Sequence, residues 1–212
     1  MKRTIVILIV ALFIASCKKE ESNPVESMSA QEKVTDYYPL EIGNYWIYEI
    51  YTSDSTLIFT DNHLVDSVCI MKDSLYEGNV FKVVFSSYWG FTLIRDSSDY
   101  LVTPDGRRIF TIKQDNNNLG ESYMDPDSIV YNTWKMKNSD SICIVPSGQY
   151  QAKYVIGTVT STVPASRSTI KLNYYYAYVK NIGKVYERMR YLYSLDGIEE
   201  RLVRYKVNGK TN

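Results

Sequence analysis

The residues after position 37 predict an all-β fold, one antiparallel meander that forms a barrel, half-barrel or sandwich. Three observations carry that prediction. Short runs rich in β-branched and aromatic residues recur between Tyr45 and Val207. Hairpin-type turn residues punctuate them, as in Glu77-Gly78-Asn79, Pro104-Asp105-Gly106, Ser147-Gly148 and Asp196-Gly197. No window sustains a helical period over three turns. Without helices to serve as crossovers, successive strands pair with their neighbours, and so long a meander must close or fold over to hide its edges.

In chain order the expected strands are 45–51, 57–60, 63–71, 80–85, 91–95, 100–103, 107–112, 129–134, 141–145, 150–160, 169–179, 184–193 and 198–207. Alternation assigns a buried face where it is clearest. In Tyr45–Tyr51 it puts Trp46, Tyr48 and Ile50 on one side, and these are the better core candidates. In Tyr174-Tyr-Tyr-Ala-Tyr-Val179 aromatic residues fall on both sides, so at least one face carries exposed or rim tyrosines.

Two segments precede the β region. Lys2 and Arg3 stand before the apolar run Ile5–Ile14 and the small residues Ala15 and Ser16, the order of a secretory signal peptide. That run spans only about 16 Å as a helix, half of a hydrocarbon core. Residues 1–16 are therefore assigned as a signal peptide, 17–36 as a flexible tether and 37–212 as a single β domain. The tether sequence is polar and charged and buries too little apolar surface to order itself. The whole chain of 212 residues balances 24 basic against 24 acidic side chains. Loss of Lys2 and Arg3 leaves a formal charge of −2, which excludes the basic excess expected of a nucleic-acid binder.

Ile14-Ala15-Ser16-Cys17 resembles the bacterial lipobox. The resemblance implies cleavage before Cys17, acylation of its thiol and attachment to a membrane without a transmembrane segment; several acyl chains hold a protein stably. Lys18-Lys19-Glu20-Glu21 resembles the export signal of Bacteroidota lipoproteins, which implies the outer face of the outer membrane, with the periplasmic face as alternative. Further on, Tyr38-Pro-Leu-Glu-Ile-Gly-Asn-Tyr-Trp-Ile-Tyr48 resembles an opening common in β-rich bacterial outer-membrane lipoproteins of unknown function, aromatic-P-L-x-x-G-N-x-W-x-Y. Val145-Pro-Ser-Gly-Gln-Tyr150 and Ile182-Gly-Lys-Val185 are similar to two later pieces of the same group. The resemblance carries over no catalytic residue.

Chemistry-bearing motifs are scarce. There is no G-x-S-x-G elbow, P-loop or G-x-G-x-x-G. His63 is the single histidine and has no ligand-spaced partners, so it reads as an exposed strand-entry residue. Asp115–Gly120 has the look of a calcium loop, but Leu119 occupies a ligand position and Pro126 replaces the bidentate acid; it and Asp125-Pro-Asp127 read as polar turns. No metal or cofactor is expected. Cys69 and Cys143 lie in matching contexts and form a possible disulfide, with two buried strand thiols as the favoured reading. The 20 tyrosines offer a possible glycan or protein contact surface, or simply cross-strand pairs. The resulting expectation is a lipid-anchored, non-enzymatic binding or accessory module. The alternatives are a carrier of an apolar ligand in a barrel and a hydrolase with carboxylates assembled from separate strands.

Overall fold

The computed structural model describes residues 31–54, 56, 58–113, 118–123, 130–163, 168–191 and 196–212. The signal peptide, Cys17, the proposed export signal and Asp125–Asp127 lie outside them. After one helical turn, α1 (Val34–Tyr37), the chain is built of strands: β1 (Tyr45–Ser53), β2 (Phe59–Tyr76), β3 (Asn79–Ser86), β4 (Gly90–Ser97), β5 (Tyr100–Val102), β6 (Arg108–Thr111) and β7 (Asn118–Tyr123). There follow β8 (Val130–Met136), β9 (Ser141–Val145), β10 (Gly148–Val163), β11 (Ser168–Val179), β12 (Gly183–Arg190), β13 (Gly197–Val207) and β14 (Lys210–Thr211).

Twelve strands follow one another in the order β6-β5-β4-β3-β2-β1-β13-β12-β11-β10-β8-β7, every pair antiparallel, and curl into a nearly closed barrel. Of the three all-β architectures the sequence allows, the barrel is the one adopted. The first and last parts of the chain meet at the β1–β13 pair, Tyr45 opposite Lys206 and Ser53 opposite Gly197. The seam falls between β6 and β7, the two ends of the order. β9 lies off this order, paired with the start of β10, and β14 folds back antiparallel against the end of β13.

Several boundaries differ from expectation. The runs 57–60 and 63–71 are one long strand, β2, interrupted by a bulge in which Asn62 and His63 have no backbone pairing partner on β1. His63 there adopts φ 57° with its backbone N–H donating to Asp61 Oδ1 at 2.7 Å. β7 replaces the tail of the expected polar loop, because Leu119 turns inward and is buried. The folded body begins at Glu32 and not at Tyr37. Residues 32–36, expected in the tether, are held by contacts that composition does not reveal: Val34 is wholly buried, and Asp36 accepts from the Lys33 N–H at 3.1 Å. Lys180 bonds Glu32 at 2.8 Å.

Trp46, Tyr48 and Ile50 face the barrel interior as alternation requires, none more than 1% exposed. β1 leads away from α1, so strand direction sorts the loops to two ends. The α1 end carries the β2–β3, β11–β12 and β13–β14 turns; the far end carries the β1–β2, β3–β4 and β12–β13 connections.

Candidate functional site

α1 and the residues after it stopper one end of the barrel. Tyr38 stacks on Trp46 (5.4 Å between ring centroids, 18°) and meets Tyr178 edge-on at 6.2 Å. Phe110 packs against Tyr37 at 5.4 Å and Tyr178 at 4.7 Å. The Trp46 indole N–H donates to the Ile182 carbonyl at 2.6 Å, and the Tyr48 hydroxyl to the Lys184 carbonyl at 2.8 Å. Gly183 lies between those acceptors at φ 114°, and a Cβ there would come within 2.9 Å of Trp46 Nε1. Asn44 ties the turn before β1 to the turn after β13. Its Nδ2 donates to Pro39 O at 3.1 Å and its Oδ1 accepts from the Asn208 N–H at 2.9 Å. Thus the opening motif and the late Ile182–Val185 piece, 136 residues apart, form one packing unit.

Above the stopper the interior turns polar. Lys184 on β12 reaches Glu187 on the same strand and Glu200 on β13, the latter at 2.8 Å. Residues i and i+3 of a regular strand point to opposite faces. Here a bulge at Val185, with Tyr178 opposite Lys184 and Ala177 opposite Tyr186, returns Glu187 to the face of Lys184. The Lys184 ammonium lies 5.1 Å from the Tyr48 ring centroid. Burial would depress Lys184, but Glu187 and Glu200 outweigh it and hold the ammonium well above the ordinary lysine range. Burial pushes the Glu187 carboxyl up; Lys184 pulls it down, and Glu200 adds to the rise. Burial also lifts the Tyr38 hydroxyl to about 12, against the pull of Lys184.

A second buried carboxylate organises the far end. Asp66 on β2 accepts from the hydroxyls of Ser86 (2.8 Å) and Ser87 (2.9 Å) and from the Tyr88 N–H (3.0 Å), which fixes the β3–β4 turn. That turn delivers Trp89, whose indole N–H bonds Glu200 from across the barrel. Tyr88 packs edge-on against Trp89 at 4.8 Å.

Between stopper and turn lies a half-enclosed cavity of about 400 Å³. Val84, Ile94, Trp134, Tyr176 and Met189 give it apolar walls; Lys184, Glu187 and Asp66 supply polar groups, and exposed Arg107 and Arg108 also line it. Trp134 has room there because β10 places Gly157 against it: a Cβ would meet the ring at 2.3 Å. On the outside, a hollow of about 500 Å³ lies beside β9, lined by Ile142, Tyr175, Tyr186, Arg188 and Arg201 among others.

The residues singled out in the sequence lie elsewhere. His63 is exposed, 3.3 Å from Asp61 and remote from the cavity lining. No cluster of three potential metal ligands occurs among the described residues. Cys69 and Cys143 are free thiols. The possible bridge is not made because Cys69 on β2 sits between Tyr45 and Phe85, whereas Cys143 on β9 sits opposite Tyr150, and β1, β13, β12 and β11 intervene between β2 and β10. Burial raises the Cys143 thiol. The exposed tyrosines among the described residues, Tyr76, Tyr88, Tyr123 and Tyr191, are divided between several strand ends and form no single platform.

No family model and no curated protein matches the chain. Three solved structures are similar in fold. One is a Bacteroides fragilis protein assigned as exported, with a YmcC-like fold (13% identity, TM-score 0.41, covering 78% of this chain and 96% of that one). Another is a protein of Parabacteroides distasonis assigned as a lipoprotein (13%, 0.42, 79% and 96%). The third is the hypothetical lipoprotein YmcC of Escherichia coli (12%, 0.35, 80% and 88%).

Proposed function

We propose that this chain is a non-enzymatic binding module of the bacterial outer membrane, anchored through lipid on Cys17, which takes a small ligand into the barrel cavity. The cavity itself is the observation that carries the reading. It falls within the size of known ligand sites, about 300–1,000 Å³, and combines apolar walls with a few converging polar groups. The lipobox and the export-signal resemblance supply the anchor and the surface location. The apolar-carrier alternative merges with this reading, but Asp66, Lys184 and Glu187 make the interior suited to a ligand with polar as well as apolar parts.

The hydrolase reading has one observation in its favour, since Glu187 and Glu200 come from separate strands and face each other. Both carboxylates are bound to Lys184, and Glu200 is only 1% exposed and absent from the cavity lining, so they act as an ion triad. Titrating the purified mature protein with anilinonaphthalene sulfonate tests the binding reading. A saturable, one-site change in the fluorescence of Trp89 and Trp134 is expected; a flat titration would overturn it.

A further inference from the structure

We infer that the β2–β3 hairpin tip is a membrane-contact element that dips into the bilayer beside the lipid anchor, turning the cavity away from the membrane. The inference rests on the lipid anchor proposed for Cys17. β2 outruns β1: the last backbone contact alongside is Ile70, whose N–H donates to Asn44 O at 3.0 Å, while the hairpin ladder continues from Lys72 opposite Val83 to Tyr76 opposite Asn79. On its other side β4 runs beside β3 as far as Ile94 opposite Lys82, so Ser74–Tyr76 and Asn79–Phe81 project beyond both neighbours, roughly 10 Å at strand rise. At the tip Leu75 and Val80 are direct cross-strand partners, 74% and 59% exposed, with Tyr76 exposed beside them; Met71, in the bulge at the base of the hairpin, is exposed as well. A protruding hairpin of such residues is a poor choice for a surface facing water alone.

Its position identifies the occupant. The hairpin tip lies at the end of the barrel where the chain enters, because β1 starts there and Asp36 O accepts from the Asn181 N–H of the β11–β12 turn at 2.5 Å. Ile42, also exposed, stands at this end immediately before β1. Only fourteen residues, 18–31, separate Cys17 from the folded body. Even fully extended, fourteen residues reach no more than about 50 Å. The lipid therefore keeps this end of the barrel within reach of the bilayer. Between Met71 and Lys82 the charges of Lys72, Asp73, Glu77 and Lys82 cancel, and Lys82 pairs with Asp73 at 2.5 Å. Contact is thus apolar and independent of anionic lipid.

The test uses the full lipidated protein, with Cys69→Ala and Cys143→Ala, reconstituted in phosphatidylcholine vesicles and labelled with an environment-sensitive dye at Leu75→Cys or, at the opposite end, Ile58→Cys. Severalfold stronger quenching by spin-labelled lipid at 75 than at 58, unchanged by adding phosphatidylglycerol, is the expected result. Equal quenching at the two sites, in protein that still enters the detergent phase of a cloud-point separation, overturns the inference and leaves the anchor intact. A label at 75 unquenched in pure lipid but shielded in intact cell envelopes assigns the tip to a protein partner and also overturns it. Protein found in the aqueous phase overturns the anchor itself.

Discussion

The two halves of the barrel interior are built on opposite principles. At the α1 end Tyr38, Trp46, Phe110 and Tyr178 fill the lumen with rings, and the polar atoms of Trp46 and Tyr48 reach backbone carbonyls. Toward the far end the lumen stays open, and charged groups hold one another: Lys184 with Glu187 and Glu200, Asp66 with a serine-rich turn. Filling the first half gathers the large apolar rings there. It leaves the second half free to keep unoccupied volume and ionised groups that a packed core would exclude.

Mutations that treat the halves unequally test this division, and the largest effect belongs to the polar one. Lys184→Met leaves Glu187 and Glu200 uncompensated and lowers stability by about 3–5 kcal/mol in urea unfolding. In the filled half, Trp46→Phe orphans the Ile182 carbonyl and thins the stack; a loss of about 1–3 kcal/mol is expected, with dye binding in the cavity unchanged. Gly157→Ala separates the halves in the other direction. Its methyl displaces Trp134, so stability falls by a similar ~1–3 kcal/mol and dye binding weakens too, as a titration would register.

A smaller effect is a slope with pH. Folded, Glu187 keeps its proton to higher pH than in the unfolded chain, so its contribution is full below the ordinary glutamate range and is lost as pH rises through the raised value. Glu187→Gln removes that loss, and its stability relative to wild type should rise as pH increases upward from the ordinary glutamate range. Least affected is His63→Ala, which changes stability by under about 0.5 kcal/mol, as befits an exposed bulge residue.

The filled half was legible in the sequence. The alternation of Trp46, Tyr48 and Ile50 names its core face, and the opening motif runs through Tyr38, Leu40 and Asn44, all of which pack or tie there. The polar half was not. Lys184 and Glu187 have a spacing that alternation sends to opposite faces, and only the bulge at Val185 reunites them. Glu200 arrives from another strand, and Trp89 from a turn whose shape depends on Asp66, about 20 residues away in the chain. β7 escaped notice because Asn118-Leu-Gly-Glu-Ser-Tyr123 carries a single aliphatic side chain. α1 escaped because one helical turn has no period to read, and its burial comes from elements more than sixty residues downstream.

The β1–β13 pairing has a consequence for synthesis. The first strand of the meander finds its partner only when residues 197–207 arrive, and the Asn44–Asn208 tie later still. Until then one edge of β1 has no strand beside it, while Trp46 and Tyr48 lack the Ile182 and Lys184 carbonyls that fix them. Closing so distant a contact is slow. The emerging chain therefore presents an adhesive edge until nearly all of it has appeared, and helper proteins that shield such edges should set its yield more than its final stability does.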